Sequence, residues 1–551
     1  MRTKNALLAA LVVPTFAILG ACSTPGMGTS EPGLTVSDVS LVQNPNPSVP
    51  MAAIFRATSN VPTRLTLNFD DGERTWSVTP NANLSTSHEV PVIGMRAGRT
   101  HRISATLQDA DGHTGTTNTL TFDVPELPEA FPSPRVTVRD ASRMQPGVTI
   151  FNINGRWDED GKSAPQNFAP AIIVDDEGHI IWYYLPGVHK VHDIRRLENG
   201  NFIYEVWPGT AGMVEIDMLG NIERRWHFTG TAKDPAPDSI PVETDSFHHD
   251  FIVMPNGNFL LLSSEVRQIE NWYTSETDAD APRATANVVG DVIVEFTPEG
   301  EILNEWKIFD ILDPYRIGYN SLREDFWRRH YDGVVEGAVH DWTHGNAIIY
   351  EEDDHAFVMS LPYQDAVIKV SMETGELVWI LGNHDNWKEP QASKLLTPVG
   401  DVGWSYKHHA ISHTEHGTYL LFDNGVARSS PFDERMPLAD SYSRAVEYAI
   451  NEETMEVSQP WQYGKEQERF YGRYLGDVDW HADTDTIQIN VGAQETNADG
   501  VNVPPREAQR WARLMEVTHD TPHEKVWEMR LQQDDSGWAI YRADRLASIY
   551  P

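Results

Sequence analysis

A chain of 551 residues with 40% hydrophobic and 10% aromatic content holds enough apolar material for a large core, and its length allows two or three domains. Its 81 acidic against 43 basic residues leave a net charge of −38, which argues strongly against a nucleic-acid partner, because such proteins displace counterions with a basic footprint. The surplus reads as a solvated acidic surface, so an anionic ligand needs cations gathered locally to be captured at all.

The first stretch carries Arg2 and Lys4, an apolar run from Ala6 to Ile18, then Leu19-Gly20-Ala21-Cys22. Basic, apolar and small residues in that order make a secretory leader, too short to span a bilayer. LGAC is also the lipobox pattern in which the cysteine is lipidated. Cys22 is the only cysteine, so no intramolecular disulfide, CxxC pair or Cys-ligated zinc can form. Residues 1–22 are therefore expected to be a lipoprotein signal peptide, and the protein an exported, periplasmic or cell-envelope one.

From Leu34 to Pro125 short alternating runs such as TRLTLNFDDG, SHEVPVIG and TNTLTFDVP are punctuated by Gly, Asp-Gly and Pro, the pattern of an antiparallel sandwich of immunoglobulin or fibronectin III type. Nothing in residues 34–125 looks catalytic. The proline-rich stretch 126–136 reads as a stiff connector.

Residues 137–551 repeat one unit. AIIVDDEGHIIW ends at Trp182, and comparable hairpins end at Trp226, Trp306, Trp379, Trp461 and Trp527, spaced 44 to 82 residues apart. Six tryptophan-closed hairpins suit a six-bladed β-propeller, which closes on itself where a solenoid would need caps. The segment Trp538–Tyr550, beyond the last hairpin, is placed to complete the first blade. The expected fold class is all-β: a six-bladed β-propeller preceded by an immunoglobulin/fibronectin III-like β-sandwich.

A second motif precedes these hairpins: a histidine, seven intervening residues and a turn glycine. It runs from His192 to Gly200, His249 to Gly257 and His409 to Gly417, while His344 is followed at nearly the same distance by the acidic turn EEDD; in a fifth copy the slot falls on Gly476. One buried histidine is more often a hydrogen-bonded structural residue than a catalyst. Repetition at equivalent strand ends favours convergence on the propeller axis instead. His248 and His408 precede two of these histidines and point the other way in a regular strand, which gives them packing or supporting roles. His413, His416, His519 and His523 are expected at the surface. Converging imidazoles allow metal ligation, acid–base transfer or covalent catalysis, and spacing alone leaves all three open, although no HExxH or local two-histidine-plus-carboxylate spacing occurs.

FHHDFIVMPNGN, DWTHGNAI, AVIKVSMETGELVWILG, the HHAI and LLFDNG blocks and YRADRLASIYP together resemble the bacterial arylsulfate sulfotransferases that work without a nucleotide sulfate donor. The likeness runs from Thr137 to Pro551, and the sandwich in front matches that family's layout. The resemblance implies sulfuryl transfer from a phenolic sulfate ester to a phenolic acceptor through a sulfohistidine, with no cofactor and no metal. Carried over, His409 is the nucleophile, His249 and His344 contact the sulfuryl group and move protons, and Asn346 is a further hydrogen-bond donor. Where the family has Ser-Arg after the DWxHxN strand, this chain has Ser360 and, in the arginine's slot, Pro362. Lys407 or Arg428 is expected to supply the missing charge. His192 lies outside the carried-over set and is expected only to line the site. The expected partners are aryl sulfates and phenols, and a membrane through Cys22, with a homodimer left open. Readings of another class are a non-enzymatic propeller that binds or scaffolds, and a histidine-metal enzyme.

Overall fold

The computed structural model describes residues 29–30, 33–155, 168–188, 190–206, 212–532 and 537–551; the leader and Cys22 lie outside them. The chain forms two compact units, one of residues 1–42, 54–90 and 102–122, the other of 43–53, 91–101 and 123–551. The first is antiparallel and built on the 18-residue strand Ala53–Asp70, which pairs with Thr100–Asp109 and Val36–Gln43. Alternation decides its faces. Leu65, Leu67 and Phe69 are buried and stand directly opposite Leu107, Ala105 and Ile103, while the intervening Thr66 and Asn68 are half-buried.

In the second unit six sheets of at least four strands follow one another as the blades of a propeller. The inner strands are Trp538–Leu546, Val191–Arg196, Phe251–Val253, Ala347–Glu351, His409–His413 and Asp477–His481, for blades one to six. The first blade is closed by the late strand Trp538–Leu546, which pairs with Val148–Gly155, as expected of that segment. The sixth gains an outer strand, Arg135–Arg139, paired with Lys525–Leu531.

The recurring tryptophan has a physical reason. Each indole closes its own blade and reaches the outer turn of the next. Trp182 Nε1 donates to Met218 O (3.1 Å), Trp226 to Pro298 O (2.8 Å), Trp379 to Glu452 Oε1 (2.8 Å) and Trp461 to His523 Nδ1 (3.3 Å). Trp306 packs edge-on against Phe357 of blade four. Trp527 donates to Asp176 O (3.0 Å) in the first blade, which completes the circle. Trp226 is 1% exposed and also packs on Phe259. Trp226→Ala is expected to destabilise the propeller by about 3–5 kcal/mol, read from denaturant unfolding; a loss under about 1 kcal/mol would show that the indole does not bolt the blades.

Between blades three and four the chain makes an excursion, residues 308–346, with a short helix Ile308–Ile311 and a 3-10 turn Trp327–Arg329. Its strand Val339–Asp341 adds in parallel to Ala284–Phe296. Trp327 and Tyr331 bury themselves with Val289 and Val339, and this small core fixes the polar residues beside them over the propeller axis.

Candidate active site

A cavity of about 680 Å³ opens where the inner strands begin, and His192, His249, His344 and His409 all line it. His249 lies with its ring centroid 5.5 Å from His192 and 4.8 Å from His344. Phe326, from the excursion, packs on both His249 (4.9 Å) and His344 (4.8 Å), and Tyr363 stacks on His344 at 4.4 Å. His249 and His344 have left-handed backbones, with φ of 61° and 53°. Such conformations are costly for residues with a Cβ and persist where the surroundings enforce them. In blade six the equivalent Gly476 has φ 123°, and a Cβ there would lie 2.4 Å from the Phe422 ring. Crowding by Phe422 explains why this copy carries no histidine.

Hydrogen bonds behind the rings set their protons. The Asn424 amide donates to Gly472 O (2.7 Å) and Leu475 O (2.8 Å), so its Oδ1 must accept from His409 Nδ1 at 2.7 Å. The proton of neutral His409 is therefore on Nδ1, and Nε2 keeps its lone pair. Burial, the largest cause, pushes the His409 pKa down to about 3, which keeps it neutral at pH 7. His248 Nε2 donates to Ser263 O (2.9 Å), leaving its Nδ1 to accept from His249 Nδ1 (3.0 Å). Nε2 of neutral His249 is then an acceptor too, and burial holds this ring well below the ordinary histidine range. His344 Nδ1 lies 2.6 Å from Asp341 Oδ2, while Asp341 Oδ1 takes the Trp327 indole N–H at 2.9 Å. An imidazole backed by a buried carboxylate exchanges its proton at Nε2. His192 stacks on Tyr541 and has Nδ1 3.3 Å from Glu205.

The supporting residues lie beneath. Tyr541 donates its hydroxyl to His249 O (3.0 Å), and Arg542 donates to Asn346 O (2.9 Å) while pairing with Asp193 and Asp250. Here two expectations need correction. Asn346 is fully buried and does not line the cavity; its amide donates to His408 O at 2.9 Å and so steadies the entry to His409. Arg428 also stays out of the cavity, held by Asp423 (3.0 Å) and lying over the Tyr442 ring. Lys407 does line it, with its ammonium 2.7 Å from Asp365.

The charge at the site comes mainly from residues without a repeat signal. Arg323, Arg328 and Arg329 enter from the excursion, Arg435 and Arg473 from loops, and Lys190 and Arg510 from the edges of blades two and six; Asp325 is the one carboxylate in the lining. Arg323 pairs with Asp325 (2.9 Å) and its charge acts on Tyr363, the residue that follows Pro362. Among the described residues, four groups of carboxylates and histidines have ligand atoms within 4.8 Å of one another, one of them Asp477, Asp479 and Asp544 near the axis; none of the four includes a cavity histidine. No helix among the described residues is long and apolar enough to cross a membrane.

Fold and site together define a propeller protein with a histidine-centred, cation-walled cavity. The chain belongs to the arylsulfotransferase (ASST) family, whose model matches residues 135–542; an arylsulfotransferase Ig-like domain matches residues 40–125. It is 28% identical over 371 residues to arylsulfate sulfotransferase AssT of Lelliottia amnigena, and 28% identical over 372 residues to AssT of Escherichia coli O6:H1. In each case 59% of this chain aligns, and it spans 58% of the relative's length. Among solved structures, the periplasmic gluconolactonase of Pseudomonas aeruginosa aligns over 72% of this chain and 99% of its own, at 8% identity and a TM-score of 0.31.

Proposed function

We propose that this protein transfers a sulfuryl group from an aryl sulfate to a phenol through a covalent adduct on His409. The observation that carries this reading is the Asn424 contact, which fixes the His409 proton on Nδ1 and leaves Nε2 as a neutral nucleophile in a cationic cavity. In the first half-reaction the Nε2–S bond forms as the aryl O–S bond breaks, and the phenolate leaves. His344 gives the leaving oxygen its Nε2 proton, and the imidazolium charge lost there is balanced by the positive charge gained on sulfated His409. In the second half the acceptor oxygen attacks sulfur, the N–S bond breaks, and the phenolic proton returns to His344. His249 Nε2, an acceptor, takes a hydrogen bond from the acceptor phenol as it binds, and that O–H turns to His344 as the oxygen attacks. Loose sulfuryl transfer is catalysed mainly by positioning and charge. Arg323, which lines the cavity together with Pro362 and Tyr363, takes the place of the arginine this position lacks. The LGAC segment supports export with lipid attachment at Cys22.

The test is release of 4-nitrophenol from 4-nitrophenyl sulfate by the purified full chain. Phenol is expected to accelerate release and to appear as phenyl sulfate. Silence with several aryl sulfates, each with phenol present, would sink the reading.

A further inference from the structure

A sulfate monoester carries one negative charge, yet the cavity has cations on two sides of the propeller axis. Arg323, against Tyr363 of blade four, forms one side. The other is formed near blades six, one and two by Lys190, Arg473 and Arg510. Blade four stands opposite blade one in a ring of six, so the two groups of cations face the cavity from different directions.

The second wall is built around Tyr474. Arg473 and Arg510 each lie 5.6 Å from its ring and share the single carboxylate of Glu495, at 3.2 Å each. Two guanidiniums on one carboxylate leave a positive surplus beside an aromatic face. Lys190 adds to it. Burial lowers its pKa to about 8, and Arg329 and Arg510 contribute repulsion. Like charges crowded around a cavity in a protein of net charge −38 are favourable when an anion sits among them.

We infer that Lys190, Arg473 and Arg510 form a second anion subsite, and that the preferred substrates are aryl sulfates and phenols carrying a further anionic group on the ring. This deepens the sulfuryl-transfer reading and rests on it. A carboxylate, phosphate or second sulfate offers the required chemistry, with Tyr474 against the ring.

The experiment compares 4-hydroxybenzoate with its methyl ester as acceptors from 4-nitrophenyl sulfate, using the full chain. Their intrinsic reactivities differ but cancel when the acid-to-ester ratio of kcat/KM is compared between wild type and variants. Arg473→Gln, at a side chain 41% exposed and so tolerant of change, is expected to lower that ratio roughly tenfold; Arg510→Gln should do the same. A ratio unmoved by both substitutions overturns the subsite. Calorimetric binding of the acid and the ester to resting protein separates this inference from its parent. Acid-selective binding that Arg473→Gln abolishes supports the subsite even without turnover, in which case sulfuryl transfer alone falls. Equal binding of acid and ester overturns the subsite while transfer stands.

Discussion

His409→Ala is expected to lower transfer from 4-nitrophenyl sulfate to phenol by on the order of 10⁴-fold or more, the scale of losing a covalent nucleophile. Folding should be nearly untouched. The side chain lines a cavity and has one neutral partner, Asn424, a bond worth about 1 kcal/mol. Unfolding curves should therefore nearly overlay those of the wild type. Mass spectrometry of protein quenched with donor alone supplies a second readout, since the wild type should carry one sulfuryl adduct that the variant lacks. Wild-type turnover by His409→Ala would remove this residue from the chemistry. Retained adduct with lost turnover would move the nucleophile to another histidine.

Asp341→Asn is the second large effect. Asp341 is buried and accepts from both Trp327 Nε1 and His344 Nδ1. An asparagine has one acceptor atom for those two donors, so its amide must oppose one of them. If His344 yields, its proton moves to Nε2 and the ring loses its partner for the charged state. A loss in kcat of about 10²–10⁴-fold is expected, by analogy with replacing the buried carboxylate of a catalytic triad, with a smaller change in KM. If Trp327 yields instead, stability falls by about 1–3 kcal/mol for the stranded donor. Kinetics within threefold of wild type would show that Asp341 does not govern His344.

Much of this architecture is written in the repeats. Tryptophan recurs because each blade needs an apolar plug with one N–H for its neighbour's turn, and histidine recurs because equivalent inner-strand entries point at one axis. What failed was alternation across those entries. Asn346 stands two residues after His344, which on a strand means the same face, but His344 is left-handed at φ 53° and the side-chain phase does not carry through it. His248 illustrates the same break, since it hydrogen-bonds the ring of His249 instead of pointing away from it. Asp341 and Asn424 lay inside the DWTHGN and FDNG blocks, where a partner for each imidazole nitrogen could have been sought. Arg323 and Arg473 gave no such signal. They sit in connections outside the repeat, and packing of Trp327, Tyr331, Phe309 and Trp342 holds the excursion that carries Arg323. Arg428 looked available by composition, but Asp423, buried in the same blade, holds it.

The strand Trp538–Leu546 closes the first blade, and the same strand supplies Tyr541, which holds the His249 carbonyl, and Arg542, which holds that of Asn346. The cavity and its supports thus draw on nearly the whole coding order of the propeller, from His192 to Arg542. During synthesis, every cavity histidine is made before this strand is. The first blade and the carbonyls of His249 and Asn346 therefore gain these partners only when the last strand of the propeller seats.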